Sequence, residues 1–244
     1  MCVRVDCASV VNVVEAAGTV EVVYRVAEAE GSAEAVVLCV SLSVCGLVLS
    51  GSPWTVTPVP LHDSAILASV APERLAAFLR ELSVWLPRRT YSLLYRSSRD
   101  GMTAQAFHSL CDDKGPTLVL VGSDKGFVCG GYAGASWGAG SACDGSVASP
   151  DAFVLSVVGP HSPGPVRFPV VARNADSAIF SDPLCGPVFR GGLLVKAFVG
   201  EWACSCAITG LTYEDVLGQG SNSFTGSHSF SPVEIEVFAV AHAV

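Results

Sequence analysis

The chain has 244 residues, half of them hydrophobic, and its 22 acidic and 14 basic side chains give a net charge of −8. Such a chain can bury the core of one large domain or two small ones. Its negative charge repels phosphate backbones and anionic lipid headgroups, so nucleic acid is excluded as a partner. No phosphate-binding glycine motif is present, and no cofactor is predicted.

Ten cysteines could indicate disulfides, but the chain opens with Met1-Cys2-Val3-Arg4-Val5-Asp6, which lacks the apolar run of a signal peptide. Free thiols in a reducing, cytoplasmic environment are therefore expected. The tightest pair is Cys204 and Cys206, and no C-x-x-C motif occurs. Neither a zinc site nor a redox motif is predicted.

Residues 1–60 read as β-structure. Ala35 to Leu49 is too short for the roughly 20 residues of a membrane helix, and its alternation predicts a strand, so no integral membrane segment is expected. The predicted strands are Val10 to Glu15, Thr19 to Val26, Ala35 to Val44 and Trp54 to Thr57.

The segments Gly18 to Tyr24 and Leu49 to Val56 are similar to the last strands of a filamin-type immunoglobulin repeat. The first strands of such a repeat have no counterpart in this sequence. The resemblance therefore implies a partial immunoglobulin-like segment over residues 1–60, from a truncated repeat. The alternative is a β-extension packed on the domain that follows.

Two amphipathic helices are predicted next. Residues 71–86 carry apolar side chains at helical spacing, with Ser69 as the candidate N-cap and Pro87 as the stop. Thr103 to Cys111 forms the second helix, which places Phe107 and Leu110 on one side.

After Pro116 the chain returns to β-structure. The predicted strands are Thr117 to Val121, Phe127 to Gly131, Ala152 to Val158, Leu193 to Phe198, Cys204 to Ile208 and Val233 to Val240. Helices followed by a run of strands indicate a mainly β, α+β fold, a sandwich with flanking helices.

Several ionisable residues could carry chemistry. Glu234 and Glu236 alternate with Val233, Ile235 and Val237, so both carboxylates are expected on one strand face, either as a solvated surface or as an acid–base pair. His108 and Cys111 lie three residues apart on the second helix and could form a base and a nucleophile.

Ordered blocks over about two thirds of the chain resemble a TLDc domain. They are Leu93 to His108, Gly130-Gly131-Tyr132, Asp151 to Val158, Gly186 to Phe189, Leu217 to Gly220 and Phe230 to Phe238. The resemblance implies that residues 61–244, including the helix 71–86, form a two-sheet antiparallel β-sandwich that binds a partner and has no catalytic role.

For this family the implied partner is the peripheral part of the vacuolar-type proton ATPase, with an associated role in resistance to oxidative stress. The chain would then be cytoplasmic, held at endolysosomal or vacuolar membranes by its protein partner. A hydrolase or antioxidant enzyme using His108, Cys111 or the glutamate pair is the alternative, and a scaffold fragment attached through the filamin-like segment is another.

Individual residues of these blocks have expected roles: the resemblance favours the Glu234 and Glu236 pair as a partner contact, and Arg96, Arg99 and Asp100 are the densest charges of the first block. Those expected to contact the partner are Arg96, Arg99, Asp100, Glu234 and Glu236. Those expected to serve the fold are Gly101, Gly130, Gly131, Tyr132, Gly186, Pro187 and Phe238. A purely structural explanation for Asp100-Gly101 is a turn, and for Gly130 and Gly131 it is close backbone packing.

Overall fold

A computed structural model describes the strands within residues 8–58, and then residues 60–138, 145–198, 201–206, 208 and 210–243. The chain divides into two compact units, Met1–His62 and Asp63–Val244. The first unit contains an antiparallel sheet of three strands and a separate two-stranded hairpin. The strands are β1 (Ala8–Ala16), β2 (Thr19–Val26), β3 (Val37–Ser43), β4 (Leu47–Ser50) and β5 (Thr55–Pro58). Of these, only β4 was not predicted.

The second unit consists of two antiparallel sheets of six strands each, which confirms the predicted β-sandwich with flanking helices. Sheet I has the order β11-β10-β8-β7-β17-β6, so the last strand of the unit lies inside the sheet. Its strands are β6 (Arg89–Arg96), β7 (Thr117–Ser123), β8 (Val128–Ala133), β10 (Phe153–Val158), β11 (Val166–Pro169) and β17 (Pro232–His242).

Sheet II has the order β16-β15-β14-β13-β12-β9. Its strands are β9 (Ser146–Val147), β12 (Ile179–Phe180), β13 (Cys185–Phe189), β14 (Leu193–Phe198), β15 (Glu201–Cys206) and β16 (Ser229–Phe230). The four strands of this sheet that the sequence did not predict, β9, β12, β13 and β16, are only two to five residues long, too short to show an alternating pattern.

The main core lies between the two sheets and contains a chain of edge-to-face aromatic rings. Tyr95, Phe107, Trp137, Phe189 and Tyr213 contact one another in that order, with ring centroids 5.6–6.4 Å apart. Each of the five is fully buried, and such burial contributes about 1.5–3 kcal/mol per large apolar side chain. The indole nitrogen of Trp137 donates to Thr117 Oγ1 at 2.8 Å, so the polar atom of the central ring is satisfied.

Four α-helices flank the sheets in the described part of this unit. They are α1 (Ala65–Ala68), α2 (Pro72–Trp85), α3 (Ser97–Asp100) and α4 (Ala104–Cys111). Both predicted helices are present as α2 and α4. Ser69, however, is not the N-cap of α2: it is the C-cap residue of α1, where its hydroxyl donates to the Ile66 carbonyl at 2.7 Å, and Ala71 precedes α2 without a side-chain cap.

Helix α2 covers the outer face of sheet I with its apolar stripe. Phe78 and Leu82 are at most 1% exposed, and the ring of Trp85 lies edge-on to Phe153 with centroids 5.8 Å apart. This second apolar layer is the reason that β10, whose Val154 joins the core between the sheets, also carries the buried Phe153 on its other face.

Candidate functional site

The two predicted carboxylates lie on β17, between β7 and β6. Ile235 and Val237 join the core between the sheets, so Glu234 and Glu236 point to the other face of sheet I, as the alternation predicted. Val233 departs from that alternation. It is 61% exposed because the register shifts between Pro232 and Glu234, where the strand bulges.

Glu236 is completely buried, which corrects the expectation of a solvated face. Its Oε1 accepts the backbone N–H of Ala65 at 2.8 Å and Arg96 Nε at 2.7 Å. Its Oε2 accepts the Ser64 hydroxyl at 2.5 Å and the N–H of Ile66 at 3.4 Å. The family resemblance drew attention to this carboxylate as a partner contact, but in this structure no part of it reaches the surface.

These bonds hold the beginning of α1. A helix leaves its first backbone N–H groups without partners inside the helix. Glu236 satisfies those of Ala65 and Ile66, and the N-cap residue Ser64 accepts that of Leu67 at 3.0 Å.

Glu234 holds the beginning of α3 in the same way, by accepting hydrogen bonds from its first residues. Its Oε1 accepts the Ser97 hydroxyl at 2.5 Å, the N–H of Ser98 at 3.0 Å and the N–H of Ile235 at 3.1 Å. Burial raises the pKa of Glu234, but the hydrogen bonds from Ser97 and Ser98 outweigh it and leave the pKa below its usual range. Glu234 is therefore ionised at neutral pH, with part of its side chain exposed.

Arg96, Arg99 and Asp100 complete the cluster. Arg96 bridges Glu236 to the carbonyl of Asp63 through its Nη2. Arg99 Nε donates to Asp100 Oδ1 and Arg99 Nη2 donates to Asp100 Oδ2, each at 2.8 Å. Hydrogen bonding from Arg99 is the main cause that lowers the pKa of Asp100. Arg99 remains 48% exposed, whereas the side chains of Arg96 and Asp100 are 21% and 18% exposed.

A shallow groove of about 310 Å³ opens beside Glu234. Helix α1, the β7–β8 hairpin and the first residues of β17 form its walls. Its lining includes Ile66, Gly122, Phe127, Val128, Val233 and Glu234. The groove was not predicted, because α1 was not predicted. The usable signal was Ser64 before the apolar run Ala65-Ile66-Leu67, a typical N-cap pattern.

The His108 and Cys111 pair is not arranged for nucleophilic catalysis. His108 Nδ1 lies 2.8 Å from Asp112 Oδ1, and Nε2 lies 2.9 and 3.0 Å from the carbonyl oxygens of Asp182 and Cys185. The Cys111 thiol is completely buried, and that burial raises its pKa. A nucleophilic cysteine needs the opposite, an accessible thiol with a lowered pKa.

The residues predicted to serve the fold are buried or form turns. Gly101 has a φ of 96°, and its carbonyl accepts the Tyr95 hydroxyl at 2.9 Å. The Phe189 ring packs against Gly131 so closely that a Cβ there would lie 2.6 Å from it. Tyr132 stacks on Phe153 with centroids 5.3 Å apart. The remaining members, Gly130, Gly186, Pro187 and Phe238, are buried in β8, β13 and β17.

Within the described ranges, no group of three or more His, Cys, Asp or Glu side chains could hold a metal ion. None of the helices in the part of the chain that the structure describes is long and apolar enough to cross a bilayer.

The fold and the cluster thus define a two-sheet β-sandwich whose last, internal strand anchors two short helices through glutamates. The sequence model of the TLDc domain matches residues 61–241, and the chain belongs to the TLDc family. No curated protein matches the chain. The matched range leaves out residues 1–60, so the filamin-like interpretation of that segment has no support from the comparison and remains a prediction, as does the boundary at residue 61.

Proposed function

We propose that residues 61–244 act as a non-catalytic protein-interaction domain that binds the peripheral part of the vacuolar-type proton ATPase, regulates it and contributes to resistance against oxidative stress. Membership of the TLDc family supports the interaction role. The supporting structural observation is that both glutamates are occupied in hydrogen bonds that hold α1 and α3, which is a structural role and not a catalytic one. Glu236 is buried among four hydrogen-bond donors, and Glu234 holds the start of α3.

The partner-binding residues of this proposal fall into two groups. Arg99 and Glu234 are accessible and can contact a partner directly. Arg96, Asp100 and Glu236 are largely or fully buried, and their contribution is to hold α1 and α3 in position. The chain would reach endolysosomal or vacuolar membranes through the pump, from the cytoplasm.

The test is a co-sedimentation and ATPase assay with the purified chain and the detached cytosolic sector of the pump. Wild-type protein should bind the sector and change its rate of ATP hydrolysis. Arg99→Ala should weaken binding about tenfold, because this exposed arginine belongs to the proposed interface. Arg80→Ala is the matched control, because Arg80 is a 73% exposed arginine on α2 and should have no effect.

Absence of binding by wild-type protein would rule out the pump as partner. The enzymatic alternative, a hydrolase or antioxidant activity, has no specific observation in its favour. Among the described cysteines, each thiol has its pKa raised by burial, which opposes redox chemistry. The scaffold alternative depends on side chains of residues 1–59, which lie outside the described part of the chain.

A further inference from the structure

We propose that the groove beside Glu234 binds a lysine side chain of the protein partner. Of the residues described in its lining, only Glu234 is ionisable, and the remainder are apolar, glycine or serine. A lysine has the matching shape and charge, since it lays an aliphatic stem along apolar surface and carries its charge at the tip. The inference rests on the proposed function, because the lysine belongs to the partner.

The carboxylate geometry favours lysine over arginine. The Ser97 hydroxyl and the backbone N–H groups of Ser98 and Ile235 all donate to Oε1 of Glu234. A guanidinium binds a carboxylate best as a fork that uses both oxygens, whereas an ammonium acts as a point charge and can use one. Oε2 therefore suits an ammonium group better than a guanidinium.

The apolar walls explain where the stem would lie. Val233 is 61% exposed at the rim because of the bulge in β17, and Ile66 and Phe127 contribute the neighbouring wall. A concave surface lined mainly by apolar side chains with a few polar groups is typical of a binding site. The lysine closest in sequence to the groove, Lys125, is engaged elsewhere, with its Nζ 2.6 Å from the Ser227 hydroxyl.

The serines of the lining are also engaged. Ser69 donates to the Ile66 carbonyl at 2.7 Å, and Ser123 Oγ accepts the N–H of Phe127 at 3.1 Å. The ionised carboxylate is thus the dominant polar group that a ligand would meet. A cation with an apolar stem satisfies both features of the groove, whereas an anion would meet the Glu234 charge.

The experiment is an NMR titration of the isotope-labelled full chain with blocked lysine (N-acetyl-lysine N-methylamide). Backbone amides of Gly122, Gly126 and Val128 should shift and saturate. Blocked norleucine has a similar apolar stem without the ammonium and should bind at least tenfold more weakly, as should the Glu234→Gln variant, since each removes a charge-assisted hydrogen bond. Blocked arginine should also bind more weakly than lysine.

Gly122→Ala provides a variant that leaves Glu234 unchanged. A Cβ at Gly122 would lie 3.6 Å from the Val233 side chain and 3.8 Å from that of Ile66, which is ordinary contact distance. The substitution should therefore fill part of the groove, weaken lysine binding severalfold and leave the melting temperature close to that of wild type. Equal binding of lysine and norleucine, or shifts that avoid the groove, would overturn the assignment.

The two proposals can fail separately. Pump binding that survives both Glu234→Gln and Gly122→Ala, with no titration by blocked lysine, would overturn the groove assignment and leave the proposed function standing. A groove that titrates with lysine in a chain that does not bind the pump would support the assignment and count against the pump as partner.

Discussion

Glu236 is the residue on which the local structure depends most. A buried carboxylate is costly unless several donors surround it, and here Ser64, Ala65, Ile66 and Arg96 do so. The charge is thus compensated from both sides, by the start of α1 and by the guanidinium on β6. Removing either side leaves buried groups unpaired.

We expect Glu236→Gln to lower the free energy of unfolding by about 2–4 kcal/mol, because the amide NH₂ replaces an acceptor and faces donors. Urea denaturation at neutral pH measures this. The control is Glu81→Gln, whose carboxylate is 40% exposed with a 3.8 Å ion pair to Arg80, and which should change stability by less than about 0.5 kcal/mol. Equal effects of the two substitutions would contradict the role given to Glu236.

Glu234 should make stability depend on pH in the acid range. Its pKa is lowered in the folded state from 4.5, so ionised Glu234 contributes stability that is fully present above that value. The contribution is lost as the pH falls through the lower, folded-state pKa. The stability difference between wild type and Glu234→Gln should therefore be constant near neutrality and shrink in acid. A difference that grows in acid would reverse the sign of the shift.

At the scale of elements, α1 and α3 are stable only where they are docked. Helices of four residues cannot form alone in water, because the conformational entropy lost in nucleation exceeds the free energy gained from so few hydrogen bonds. Each is held at its N-terminus by a glutamate of β17, 136 or more residues away in sequence. Loss of either carboxylate should release its helix before the sheets are affected.

The pairing of β7 and β8 depends on Gly130. A Cβ at this position would lie 2.0 Å from the Val119 carbonyl oxygen, so Gly130→Ala forces the two strands apart. We expect a loss of about 3 kcal/mol in stability, typical of an overpacked core, measured by thermal unfolding. Gly164→Ala is the control, since a Cβ there meets nothing within 4 Å and φ is not positive. That variant should be neutral or slightly stabilised.

Sequence patterns predicted the elements whose stability is local. Helices α2 and α4 and most of the longer strands show the apolar period of their type, and the fold class followed from them, but the eight-residue strand β6 was not predicted. The short helices α1 and α3 have four residues each, about one turn, which is too short to show a period, and they are held by Glu236 and Glu234 of the last strand. For the same reason, burial of Glu236 could not be foreseen: the residues that cover it precede it by some 170 positions.

The family resemblance was needed for the site. Alternation alone placed Glu234 and Glu236 on one face, which the structure bears out, but it gave no indication of what that face meets. The bulge that exposes Val233 also has no signature in the sequence, since it depends on how β17 pairs with β7. The groove, which needs both α1 and the bulge, was therefore beyond prediction.

At the scale of the whole molecule, the sandwich core shields its thiols. Cys111, Cys129, Cys204 and Cys206 are at most 1% exposed, and burial raises the pKa of each. Cys185 is partly exposed, and burial raises its pKa as well. Among the described cysteines, the fold therefore protects these four thiols from oxidants.

We expect iodoacetamide at pH 8 to modify Cys185 first among these five, with the other four reacting only after unfolding. Peptide mass spectrometry gives the order of modification, and protein unfolded in urea provides the reference in which all five react. Rapid labelling of Cys111 in the folded chain would contradict the burial of this thiol and would favour the antioxidant hypothesis.

The position of β17 has a consequence for synthesis in the cell. Arg96 on β6 and Glu236 on β17 are 140 residues apart, and β6 has no other strand partner in its sheet. At ribosomal rates of about 5–20 residues per second, β17, the strand that joins β6 to β7, is synthesised on the order of ten seconds after β6. During that interval the nascent chain exposes an incomplete sheet edge, so chaperones that shield such edges should associate with it until translation reaches the final strand.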